Sequence, residues 1–198
     1  LHLSIRRQRQ MCIRDSLTDN VRLVILKEND HYGKGHAVRK GILESKGDIV
    51  MFIDSGKTVA LDFITIGIDM IRNNEHQIIL GSRHLPESII RKKLVWYRRL
   101  VSILFRIVTK LLFPSMWAFS DTQCGFKIYD GIIARDLFSR GRIDGFLFEI
   151  EILILAKKKH ISMKEMPIEW TCDRDSRLSS IPTIWEVLRD SWKLKFPI

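Results

Sequence analysis

Apolar positions change period several times along the chain, and each change marks an element. The run Val21 to Leu26 is rich in branched side chains and predicts a strand. Gly33-Lys34-Gly35 follows, and the spacing then becomes helical through Leu43. Gly47-Asp48 closes that helix, and Ile49 to Ile53 predicts a short buried strand ending at Asp54. Phe63 to Ile71 predicts an amphipathic helix, and Gln77 to Leu80 a strand leading into Gly81-Ser82-Arg83. Ile132 to Leu137 and the run opening at Glu151 predict helices, the second ending in Lys157 to Lys159, where cations suit a C-terminus. Ile161 to Trp170 predicts a strand with Pro167 near its edge, Asp173 to Ser180 a polar loop, and Ile184 to Leu194 a last helix. Strands alternating with helices predict a three-layer α/β domain around a mixed, mostly parallel sheet with right-handed crossovers.

Residues 88 to 118 have a different pattern. Arg91, Lys92, Lys93, Arg98, Arg99, Arg106 and Lys110 interleave with Leu94, Trp96, Tyr97, Leu100, Leu104, Phe105, Leu111 and Trp117. A membrane span needs roughly twenty mostly apolar residues, and Arg106 and Lys110 interrupt this one. One or two helices lying on an anionic membrane surface fit the pattern, as does a helix pair packed on the domain with solvated arginines.

The 198 residues suffice for one real core and are short for two. No repeat or low-complexity linker divides them, so residues 21–198 read as one partial domain and 1–20 stay unassigned. The formal charge of +10 suits phosphate-bearing substrates, anionic lipid or nucleic acid, although no nucleic-acid recognition module or stacking platform is present. Cys12, Cys124 and Cys172 lie far apart, without metal-ligand spacing or a disulfide framework, which favours a reducing compartment. The chain starts at Leu1 without a signal-peptide core, and a fragment lacking N-terminal strands is the expectation.

The candidate chemistry centres on Ser120-Asp121-Thr122-Gln123-Cys124-Gly125-Phe126-Lys127. This stretch sets a carboxylate, a hydroxyl, an amide, a glycine and a cation close together, as in a turn that carries polar groups to a site. A surface turn with an incidental thiol has the same composition. Gly33 and Gly35 allow close backbone approach, and their amides with Lys34 can face phosphate, yet the spacing is not that of a P-loop. Asp54 stands where open parallel sheets expose ligands, at the carboxyl end of a strand. Glu149 and Glu151, two apart, diverge on an ideal helix and need different roles, one of them a possible helix cap.

Ser120 to Lys127, together with residues 33–41, Gly81-Ser82-Arg83, Phe148 to Glu151 and Pro167 to Trp170, resembles the dolichyl-phosphate glucosyltransferase-like family of polyprenyl-phosphate glycosyltransferases, over about residues 21 to 192. The resemblance implies a Rossmann-like domain that transfers a hexose, glucose first, from a nucleoside-diphosphate sugar such as UDP-glucose to a polyprenyl or dolichyl phosphate. It also implies inversion at the anomeric carbon and work at the cytoplasmic face of a membrane. Asp121, Arg83 and Gln123 fall at catalytic positions; Gly33, Lys34, Asp54 and Arg83 on the donor; Arg98, Arg99 and Lys127 on the acceptor phosphate. Lys127 fits an internal ion pair equally well. Asp54 matches the first acid of the family's Mg²⁺ or Mn²⁺ motif, whereas the second position is Gly56, which has no side-chain oxygen to offer. The alternative is a noncatalytic module that binds a phosphate lipid or nucleotide sugar after loss of metal chemistry.

Overall fold

The computed structural model describes residues 26, 30, 32–54, 59–60, 62–92, 96–171 and 181–195. The chain divides into two units, Leu1–His31 and Tyr32–Ile198, and the fold below is that of the second. The strand expected over Val21 to Leu26, the loop over Asp173 to Ser180, and Gly56 lie outside the described residues or nearly so.

Helix α1, Lys34–Glu44, leads to β1, Ile49–Ile53; α2, Asp62–Arg72, leads to β2, Ile78–Ser82. After β3, Ile89–Lys92, come α3, Trp96–Leu112, and a 3₁₀ turn, Pro114–Ala118. β4, Phe126–Asp130, is followed by α4, Gly131–Arg140, and α5, Phe148–Lys158. The chain then forms β5, Met163–Pro167, β6, Glu169–Thr171, and α6, Ile181–Lys195.

The main sheet has the order β1-β4-β2-β5. β2 and β5 pair in parallel, while β4 runs antiparallel to both β1 and β2. Three of the four strands therefore share a direction, and the inserted β4 reverses it. The sequence pattern gave no warning of β4. Phe126 and Lys127, read as the end of a turn, begin a core strand because Phe126 and Ile128 point to one face of the sheet while Lys127 and Tyr129 point to the other. The span Ile161 to Trp170 is likewise two strands: β5 closes the main sheet, and β6 leaves it to pair with β3.

Alternation along the strands sorts the core into two layers. Val50, Phe52, Ile78, Leu80 and Tyr129 pack toward α4 and α5 through Ala134, Leu137, Phe138, Ile150 and Leu153. Ile79, Phe126, Ile128 and Met166 pack on the opposite face with Ile71 of α2. Fully burying each such side chain contributes about 1.5–3 kcal/mol before chain entropy is counted. The consequence for function is topological. Asp54 follows β1, Arg83 follows β2, and the turn at 120–125 feeds β4 between them, so the carboxyl ends of β1 and β2 and the amino end of β4 meet at one sheet edge.

Candidate active site at the sheet edge

Asp121 is buried, and its carboxylate is filled by the chain around it. Arg83 donates from Nε to Oδ2 at 2.6 Å and from Nη2 to Oδ1 at 2.9 Å; the Arg83 amide adds a bond at 3.1 Å and the Gln123 amide one at 3.2 Å. Burial pushes the Asp121 carboxyl up, but the guanidinium outweighs it and holds the group well below the usual carboxylate range. Arg83 is itself held above its ordinary value against the cost of burial, and its guanidinium lies 5.4 Å from the centre of the Trp170 ring. The pair is fork to fork, the geometry that fixes both planes.

The turn carrying Asp121 is braced from β5. Glu165 accepts from the amides of Ser120 and Asp121 at 2.8 and 2.9 Å and from the Ser120 hydroxyl at 2.8 Å. Ser82 at the end of β2 meets Ser120 at 2.6 Å between hydroxyls. Beside Asp121, a cavity of about 30 Å³, room for a water molecule or two, is lined by Arg83, His84, Gln123 and three residues of α3, Ser102, Phe105 and Arg106. The Gln123 side-chain nitrogen is buried and has no hydrogen-bond partner among the described residues. Burial lowers the His84 pKa, so this imidazole faces the cavity more readily neutral.

A second cluster gathers at the carboxyl end of β1. Lys34, at the start of α1, reaches Asp54 Oδ1 at 3.1 Å and Glu149 Oε1 at 3.0 Å. The other Glu149 oxygen bonds the Lys127 ammonium, which also donates to the Cys124 carbonyl at 2.6 Å. Burial raises the Glu149 pKa, yet Lys127 and Lys34 together bring it below the ordinary value. Lys127 therefore takes the internal ion pair that its sequence position left open. Its ammonium is buried and spent, which removes it from an acceptor phosphate. Glu151 differs in role from Glu149, as expected, but caps no helix: its carboxylate accepts from the amides of Arg142 and Ile143 and pins the loop before α5. Burial of the Cys124 thiol pushes its pKa up to about 12, leaving it an inert core group.

Gly33 and Gly35 approach backbone closely, but the backbone is their own chain's. A Cβ on Gly33, at φ 117°, would lie 2.4 Å from the Asp144 carbonyl, which accepts from the Gly35 amide at 2.7 Å. Asp54 is shaped by another glycine. Its amide donates to the Gly125 carbonyl at 2.8 Å, and its carboxylate occupies the space that a Cβ on Gly125 would fill. Among the described residues no three His, Cys, Asp or Glu side chains gather to hold a metal ion. Asp54, part-exposed in its cradle and paired with Lys34, would offer a divalent ion one carboxylate ligand, the rest of the shell having to come from elsewhere.

Arg99, Ser102 and Arg106 share one side of α3 at spacings of three and four, and Ser102 and Arg106 reach the cavity while Arg99 is exposed. The Arg98 side chain lies outside the described residues. Tyr97, Leu100, Leu104, Ile107, Val108 and Leu111 form a stripe on a different side, exposed to solvent. Lys110 sits over the Trp117 ring, 5.4 Å from its centre. No helix among the described residues is long and apolar enough to cross a membrane. Sequence reasoning missed Glu165, His84 and Ser102. Each is an ordinary polar residue near a strand end or in a helix, and only Glu165, an acid inside an expected strand, stood out of pattern.

The strand order, the polar cluster at the carboxyl ends of β1 and β2, and the acid-bearing turn before β4 define an α/β domain with its candidate site at one sheet edge. Residues 9–129 match the family model described as glycosyl transferase family 2, and the chain belongs to that family. The fold is that of glucosyl-3-phosphoglycerate synthase from Mycobacterium tuberculosis, solved with Mn²⁺ and UDP-glucose: the TM-score is 0.60 at 18% identity, over 87% of this chain and 56% of that one. A dolichyl-phosphate beta-glucosyltransferase of Dictyostelium discoideum is 34% identical over 90% of this chain and 55% of its own length. The human dolichyl-phosphate beta-glucosyltransferase is 29% identical over 81% of this chain and 50% of its own. The chain thus spans about half the length of the curated relatives it matches.

Proposed function

We propose that the protein transfers glucose from UDP-glucose to a dolichyl or other polyprenyl phosphate. The observation that carries this reading is the Arg83–Asp121 fork beside the open Gln123 amide, walled by Ser102, Phe105 and Arg106 of α3. A phosphate-bearing acceptor arriving along α3 would meet its cations at that cavity, and the sugar nucleotide would lie over the sheet edge at Asp54 and Lys34. Similarity to the dolichyl-phosphate beta-glucosyltransferases supports the acceptor and sugar, and the fold shared with a synthase solved with UDP-glucose supports the donor.

An acceptor phosphate oxygen attacks the anomeric carbon of glucose, the bond from that carbon to the diphosphate breaks, and UDP leaves with the electron pair. The attacking phosphate is already ionised near neutral pH, so no strong base is required. Asp121, held far below the usual range by Arg83, is a poor proton acceptor and suits placement of the sugar or of Arg83. The Arg83 and Arg106 guanidinium groups oppose the charge that gathers on the phosphates, and Gln123 offers a donor to a sugar hydroxyl. A Mg²⁺ or Mn²⁺ ion, held by Asp54 and the donor phosphates, would neutralise the leaving diphosphate when bound.

The exposed stripe of α3 supports a place on a membrane surface, and the cytoplasmic face is part of the same proposal. Trp96 is 77% exposed and Leu111 68%, at opposite ends of the helix, a face with apolar area to bury in lipid. Arg99 and Lys110 lie beside it on the helix, cations suited to anionic headgroups.

The test is transfer of radiolabel from UDP-glucose to polyprenyl phosphate, with and without Mn²⁺. Label in the organic phase that depends on Asp121 supports the reading. Donor binding without transfer, in folded protein offered several acceptors, replaces it with the binding-module alternative.

A further inference from the structure

The Lys34 ammonium stands between two carboxylates of unequal exposure. Glu149 is buried, its side chain 2% exposed, and it bonds Lys34 with one oxygen and Lys127 with the other. The Asp54 side chain is 43% exposed and takes Lys34 on Oδ1, while Oδ2 rests against Gly125. Lys34 is also packed against apolar surface, with its nitrogen 5.0 Å from the centre of the Phe52 ring and 5.8 Å from that of Phe148. The tie to Glu149 is therefore shielded, and the tie to Asp54 is open to solvent and to any arriving cation.

We propose that Lys34 is a built-in counter-cation of Asp54, and that a divalent ion binds Asp54 only by displacing it. With Oδ2 against Gly125, an ammonium and a divalent ion both draw on Oδ1, where their mutual repulsion makes them compete. Glu149 sets the balance: it holds Lys34 within reach, so the ammonium swings off Asp54 without leaving the site and remains to face a phosphate oxygen. With glycine at the second acidic position, Asp54 alone has little affinity to spare, and the ammonium lowers it further. Metal entry is thereby made dependent on a ligand that brings its own phosphate oxygens. This inference rests on the donor-site reading above, but it concerns ion binding and needs no transfer to be tested.

The experiment measures binding of Mn²⁺ alone to the full chain by electron paramagnetic resonance, in wild type, Lys34→Gln, Lys34→Arg and Asp54→Asn, with folding checked by circular dichroism. An opposite charge within a few ångströms of a carboxylate changes its cation affinity by about tenfold or more, and tenfold is the change expected at a part-exposed site. Lys34→Gln should bind Mn²⁺ about tenfold more tightly than wild type, Lys34→Arg no more tightly, and Asp54→Asn should lose the site. Binding by Lys34→Gln no tighter than wild type, undetectable binding included, overturns the proposal, as does binding that survives Asp54→Asn. If Lys34→Gln fails to fold, the unaltered chain decides: Mn²⁺ should speed acetylation of Lys34 by acetic anhydride, read by mass spectrometry, and an unchanged or slower rate overturns it. Failed transfer with confirmed competition would remove only the functional reading.

Discussion

A Cβ on Gly125 would lie 1.9 Å from Oδ2 of Asp54. The acid that follows β1 and the glycine in the turn before β4 are thus fitted to each other, although 70 residues separate them in sequence. The contact joins the Lys34–Asp54 pair to the turn that carries Asp121.

Gly125→Ala should therefore displace Asp54 rather than merely stiffen the turn. The side chain at 1.9 Å cannot stay, and overpacking of this kind costs about 1–3 kcal/mol. The expected outcome is a moderate fall in denaturation midpoint with a larger loss of UDP-glucose binding, measured by calorimetry. Binding that is unaltered would show that Asp54 does not meet the donor.

Asp121→Asn leaves the buried Arg83 guanidinium without its counter-charge. Breaking a buried pair from one side costs about 3–5 kcal/mol, and the 20% exposure of Arg83 puts this case at the lower end. Transfer should fall by about a hundredfold or more, because both groups lose their fixed orientation. Chemical denaturation and the radiolabel assay read the two effects separately.

Glu165 acts on the site through the turn, without reaching the cavity. Glu165→Ala unties the Ser120 and Asp121 amides, and Glu165→Gln keeps an acceptor oxygen for one of them. The alanine variant should lower kcat by about tenfold or more with little change in KM for the donor, and the glutamine variant should recover part of the loss. Equal kcat in wild type and Glu165→Ala would mean that the turn holds its shape without the brace.

Acid should unfold the protein through two carboxylates. Asp121 and Glu149 have folded pKa values below their ordinary values of 3.8 and 4.5, so the unfolded chain takes up protons first as pH falls. The stability that these pairs contribute is complete above about pH 5 and is lost as pH drops through the carboxylate range. In urea titrations from pH 7 to pH 3, the wild-type midpoint should hold and then fall, while Asp121→Asn should start lower and fall less. Parallel curves would deny the Arg83–Asp121 pair its part in acid stability.

Leu104→Glu and Leu111→Glu place charge on the exposed stripe of α3, away from the cavity. Both should weaken partition into anionic phospholipid vesicles by about tenfold or more while leaving the thermal midpoint nearly unchanged. Partition that does not respond would leave α3 a solvated helix of the domain.

Elements with a clean local period were legible before any fold was known. Ile49 to Ile53 is a strand, and the helices near Phe63 to Ile71 and Ile132 to Leu137 lie where apolar spacing put them, because burial on one face leaves a period in the chain itself. Arg83, after β2, and Asp121 and Gln123, in the turn before β4, line one cavity. What local pattern did not reveal was β4, where the strand starts inside a polar turn and carries a buried lysine. A lysine in a strand reads as surface until the acid that neutralises it is known, and Glu149 lies 22 residues away on α5. The same reason hid Glu165 and the Lys34–Asp54 contact. Periodicity records which side of an element is dry, a property of neighbouring residues; which charge faces which, and so whether a cation is free for phosphate or already spent, depends on pairing across the fold and is decided only when the elements pack.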